Sequence, residues 1–161
     1  MDRTPQEPTH ASVVDAWIEQ SIDGQSSMDV VGLFHAAFER LWSHAVTTLG
    51  SMTLTAIAER VLCMATTRYP FFSEVTTRPA GDARWKEHMQ AHVGAVPKRE
   101  LIEGARFALI ELLTVIGRLT AETLSQELHA AVMAVAASAP EAATPTIGTA
   151  SPGVAKKKVQ P

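Results

Sequence analysis

The segment FALIELLTVIG, Phe107 to Gly117, limits the fold more than any other part of the chain. It is built from helix formers and is apolar on nearly every side, with one carboxylate, Glu111, in its middle. A helix that is apolar all round must be covered on more than one side. A bundle centre, a bilayer or a second subunit can supply that cover. Length excludes the bilayer: a spanning helix needs about 20 apolar residues, and Arg106 and Arg118 close this run at about half of that. The segment predicts a central helix of an all-α bundle, or a helix packed against another chain.

The rest of the composition agrees. Of 161 residues, 46% are hydrophobic but only 6% aromatic, so the core must come mainly from Leu, Ile, Val, Met and Ala. Those residues, seldom alternating with polar ones, favour helices. A net charge of −3 leaves no broad basic surface. No nucleic acid is therefore expected as a partner, nor general attraction to anionic membranes. Cys63 is the lone cysteine, which excludes an intramolecular disulfide and a CxxC pair. Within RVLCMAT it reads as a buried, inert thiol. The opening MDRTPQEPTH has no apolar stretch of the signal-peptide kind, so a cytoplasmic setting is the expectation.

Periodicity and caps divide the chain. Residues 1–10, polar with Pro5 and Pro8, are expected to be disordered. A short helix over 11–22 would bury Val14, Trp17, Ile18 and Ile22, with Ser12 and Asp15 at capping-box spacing. DGQSS then turns the chain. Ser26 and Asp29 mark the next helix start, and Val31, Phe34, Phe38, Leu41, Ala45 and Leu49 give it an apolar stripe up to a stop at Gly50. Thr53 is the expected cap of a helix over 54–68 that buries Leu54, Ile57, Val61, Leu62 and Ala65. Pro70 ends it. Residues 70–82 read as irregular, with Phe71 and Phe72 plugging the core, and Asp82 as the cap of a short helix from Trp85 to His92. Pro97 opens a helix over 98–123. Ser125 either caps a last segment, 126–137, or marks a bend. From Ser138 onward an Ala/Pro/Thr/Ser-rich stretch ending in Lys156–Lys158 reads as a disordered tail. The predicted fold is a four- to five-helix bundle over 27–137, joined by the 11–22 helix, between disordered N- and C-terminal tails.

Chemical motifs are scarce. GxGxxG and GxxxxGK[ST] are absent, and Ser43, Ser51 and Ser73 stand outside GxSxG and SxxK settings. LTAIAERVL is similar to the first helix of a helix-turn-helix, but Tyr69-Pro70-Phe71-Phe72 breaks the pattern. His88 and His92 share a helical face near Asp82, and His35 and Glu39 share another, with His44 further along. Neither set offers the three or four ligands of known position that zinc requires. No catalytic residue, metal or cofactor is expected. Gly32, Gly104 and Gly117 lie inside predicted helices, where each costs about 1 kcal/mol against Ala. Close helix approach across a dimer and a local bend both explain such glycines.

The functional expectation follows from the 98–123 helix. Its core face would carry Leu101, Ala105, Ala108, Leu109, Leu112, Val115, Ile116 and Leu119, while Phe107, Ile110 and Leu113 extend apolar character to the other side. That pattern predicts a non-enzymatic interaction or regulatory module, homodimeric through this helix. Phe107 and Ile110 would form the interface, and Glu111, Arg106 and Arg118 would set its register. Glu111 also reads as a boundary carboxylate that reaches water or pairs with a nearby Arg. The alternative is a sensory bundle whose cavity, lined by Phe34, Phe38, Met64 and Phe107, takes a small apolar molecule or haem.

Overall fold

The computed structural model describes residues 7–73 and 91–137. Five helices are delimited there: α1 His10–Ser21, α2 Ser27–Leu49, α3 Ser51–Arg68, α4 Lys98–Leu119 and α5 Ser125–Ala137. No strand occurs among the described residues. The fold is an all-α helix bundle. Expectations for residues 1–6, for Asp82 and the stretch from Trp85 to His88, and for the tail from Ser138 with its lysine run lie outside the described residues.

Local chemistry sets most of the helix ends. Ser26 and Asp29 form the capping box that their spacing predicts, each side chain meeting the other's backbone N–H. Gly50, at φ 77°, is the single residue between α2 and α3. Only glycine takes such a φ without steric cost, so the chain turns from α2 into α3 with no further loop. The same glycine occupies the N-cap of α3, which has no side-chain cap. Thr53, expected in that role, lies inside the helix because the one-residue connection leaves no room for a separate cap. In α1 the cap is Thr9, whose hydroxyl accepts from the Ser12 N–H at 3.1 Å. The predicted Ser12–Asp15 box does not form; the Asp15 carboxylate is turned to Arg106 instead.

The end of α3 is sealed by rings. Phe72 is 1% exposed, stacks on Phe71 with centroids 4.6 Å apart and meets Phe34 of α2 edge-on at 5.7 Å. The rings fit because Gly104 of α4 has no Cβ: one built there would stand 2.7 Å from Phe71 and 2.8 Å from Phe72. The close approach that Gly104 signals is to rings of its own chain. Gly32 faces open space.

α4 runs through the centre, packed against α1, α2 and α3 and touching α5. Leu101, Ala105, Ala108, Leu109, Leu112 and Ile116 are buried as expected. Leu113, read from sequence as pointing away from the core, is fully buried, because several neighbours cover a wider arc than one apolar stripe marks. Leu119, read as core, is 58% exposed. It is the last residue of a helix that stops earlier than predicted. At Thr120 the hydroxyl bonds back to the Ile116 carbonyl, and Ala121 and Glu122 adopt φ of 50° and 62° before α5 begins. No glycine or proline announces this break. Ser125, expected as a cap, is the first residue of α5, and its hydroxyl donates to the Glu122 carboxylate. Cys63 is exposed, which corrects the buried reading. The buried positions of α3, Leu54, Ile57, Ala58, Val61 and Ala65, form one narrow stripe, and Cys63 falls on the opposite side. Among the described residues no helix is long and apolar enough to cross a membrane.

Candidate functional site

Two places hold the exposed or half-exposed groups from which a function can be built. The first is the outer face of α4. Phe107 and Ile110 are both half-buried there, on the side away from Leu101, Ala105 and Leu112. Phe107 lies against Tyr69 at a centroid distance of 6.1 Å, and the Arg68 guanidinium sits 5.2 Å over its ring. Such a cation–π contact at a half-exposed position contributes about 0.5–1 kcal/mol. Glu111 is half-buried and Arg118 exposed, one helical turn or two from the apolar pair. Arg106, also exposed, is engaged within the chain. Its Nε and Nη2 donate to the two Asp15 oxygens at 2.6 and 3.1 Å, tying α4 to α1. This bidentate hydrogen bonding lowers the Asp15 pKa and raises that of Arg106, with the attraction of opposite charges acting in the same sense. The five residues singled out from sequence thus share one region of α4, with Arg106 turned to its edge.

The second place lies where α1 begins and α4 gives way to α5. His10 Nδ1 and His129 Nε2 are 2.8 Å apart, with the rings edge-on at 78°. The other nitrogen of His10 stands 3.5 Å from Glu122 Oε2. Gln126 Nε2 reaches Glu7 Oε1 at 3.5 Å. These groups line a half-open cavity of about 520 Å³. Burial, the His10 ring next to it and weaker opposing attraction from Glu122 and Glu7 leave the His129 pKa below its ordinary value. The two successive left-handed residues, Ala121 and Glu122, fold the Glu122 carboxylate back toward Gly117, where a Cβ would meet it at 2.7 Å. Non-glycine residues in that region carry a cost of about 1–3 kcal/mol each.

Sequence reasoning missed this second cluster. His10 and His129 are 119 positions apart, and no local spacing joins them. The histidines it did weigh are elsewhere. His35 stands 3.8 Å from Glu39 on α2, His44 is exposed further along, and His92 is exposed before α4. Among the described residues no three His, Cys, Asp or Glu side chains converge as metal ligands. The four residues proposed for a cofactor cavity occupy different surroundings. Phe34 is packed on Phe72, Phe38 stacks toward Trp42, Met64 is exposed on α3, and Phe107 lies under Arg68. No family model, no curated protein and no solved structure matches the chain, so its function is read from its own residues.

Proposed function

We propose that this protein is a non-enzymatic helical interaction module that self-associates through the outer face of α4. The observation that carries the reading is the pair Phe107 and Ile110, only half-buried on the outer side of the helix that otherwise occupies the centre of the bundle. Contiguous exposed apolar surface often marks an interaction site. Burying one such large side chain at an interface contributes about 1.5–3 kcal/mol before ordering costs. Charge supports a second copy as the occupant. Glu111 and Arg118 lie on the same face seven residues apart, so two antiparallel copies of α4 can pair each with the other's counterpart in a two-fold arrangement. Arg106, held by Asp15, contributes least to that register.

Sedimentation of the wild type and Ile110→Arg at micromolar concentration tests the reading. The expected result is a dimer that the substitution converts to a folded monomer. A monomeric wild type overturns self-association, and an unfolded variant places Ile110 in the core of the single chain. Arg118→Glu, at an exposed position, should weaken the dimer without touching the fold. The double exchange Glu111→Arg with Arg118→Glu should restore it.

A further inference from the structure

α1 differs from the other helices in how it is held. It is short, His10–Ser21, and joins α2 through a turn that includes Gly24 at φ +77°, a conformation glycine adopts freely. Its inner face carries Val13, Val14 and Trp17 into the core. Two polar atoms go with them. Trp17 Nε1 and Ser21 Oγ, one helical turn apart, are buried without a hydrogen-bond partner among the described residues. Leaving a buried donor unmade costs about 1–3 kcal/mol, and moving α1 away from the core would hydrate both. Burial of Val13, Val14 and Trp17 opposes that movement, and so do two polar contacts: the half-exposed Asp15–Arg106 pair in mid-helix and the His10–His129 contact at the first residue of α1.

The histidine contact depends on protons in a way the carboxylate pair does not. Two imidazole nitrogens 2.8 Å apart hold one proton between them. The contact survives with both rings neutral, or with one ring charged and Glu122 beside it. With both rings charged, N–H faces N–H and two cations repel, so the contact must open. Glu122 and Glu7 are the carboxylates that reach His129. α1 brings His10, while α2 and α4, also packed against α5, bring no charged group to it among the described residues. We infer that α1 is a proton-released arm, latched to α5 by the His10–His129–Glu122 array at neutral pH and freed when both imidazoles are charged. The direction of the His129 titration agrees. Its pKa is depressed in the folded chain by burial and by His10. Its contribution to stability is therefore fully present above the unfolded value of about 6.5 and is lost as pH falls through the lower folded value. Asp15 stays ionised through that range and resists the release. The inference is independent of whether α4 self-associates.

Amide exchange on the full chain tests it, with the rates corrected for intrinsic pH dependence and those of α4 as internal reference. Between pH 7.5 and 5, the amides from Val13 to Trp17 should lose protection about tenfold relative to α4, and the Trp17 indole should become accessible. In His129→Gln, which keeps a hydrogen-bond donor but cannot be charged, the ratio should stay flat. His10→Gln serves if that variant does not fold. A constant α1/α4 ratio in the wild type overturns the arm, as does parallel loss in both helices, which is global acid unfolding. An unchanged pH response in the variant overturns the histidine latch.

Discussion

At the end of the bundle where α3 stops and α4 starts, Phe34, Phe71 and Phe72 close the core ring on ring, with Gly104 making room for them. At the other end, where α1 and α5 begin, the groups in contact are two imidazoles, a carboxylate and a hydroxyl. The aromatic end is fixed by shape and by water exclusion, which no change of pH near neutrality alters. The polar end is fixed by which nitrogen carries a proton, and its surroundings are half-open. The first kind of closure suits a permanent core. The second suits a contact that opens and closes, and it lies beside the helix with two unsatisfied buried polar atoms. Strain follows the same division: among the described residues, the two non-glycine residues at positive φ, Ala121 and Glu122, are both at the polar end.

Removing the aromatic plug should have the largest effect. Phe72→Ala deletes a ring that is 1% exposed, and a loss of about 3–5 kcal/mol in denaturant unfolding is expected. A loss under about 1 kcal/mol would mean that the aromatic end is not part of the core. Next is Gly104→Ala. The added methyl would stand 2.7–2.8 Å from two rings, and overpacking of this kind costs about 1–3 kcal/mol, against a helix-propensity gain of about 1 kcal/mol. Gly32→Ala has open space around it and should show that gain alone. If both substitutions stabilise equally, the rings yield freely and shape does not fix this end. The smallest effect belongs to the strap between the ends. Asp15→Asn should cost no more than about 1 kcal/mol at pH 7, because both partners are nearly half-exposed. The Asp15 pKa is lowered by the Arg106 hydrogen bonds. The difference between wild type and variant should therefore be full above the ordinary carboxylate value of about 4 and vanish as pH falls through the lowered one. A difference that persists in strong acid would assign the effect to packing.

Much of the fold was legible because its causes are local. The Ser26–Asp29 box, the Gly50 stop, the break at Tyr69-Pro70 and the stripe from Leu101 to Ile116 each depend on residues within a turn or two of one another. Errors cluster where the cause is distant. Leu113 and Leu119 exchanged their expected environments because cover by other helices, and the point where α4 stops, decide burial at the edge of a stripe. Cys63 looked buried among apolar neighbours, but α3 is covered on one narrow side only. Of the candidate site, the α4 face was legible as apolar excess on a single helix. The commitment of Arg106 to Asp15, 91 positions away, was not.

The sequence by itself determined that this chain is helical, where most of its helices begin and end, and that one of them is too apolar to face water on any wide arc. Those properties follow from propensity, capping and periodicity, which act over a few residues. Only the tertiary structure decided which side of α4 remains open, and that His10 and His129 meet. Both depend on helices remote in sequence being brought together by a core whose apolar contacts carry no record of the polar groups they set side by side.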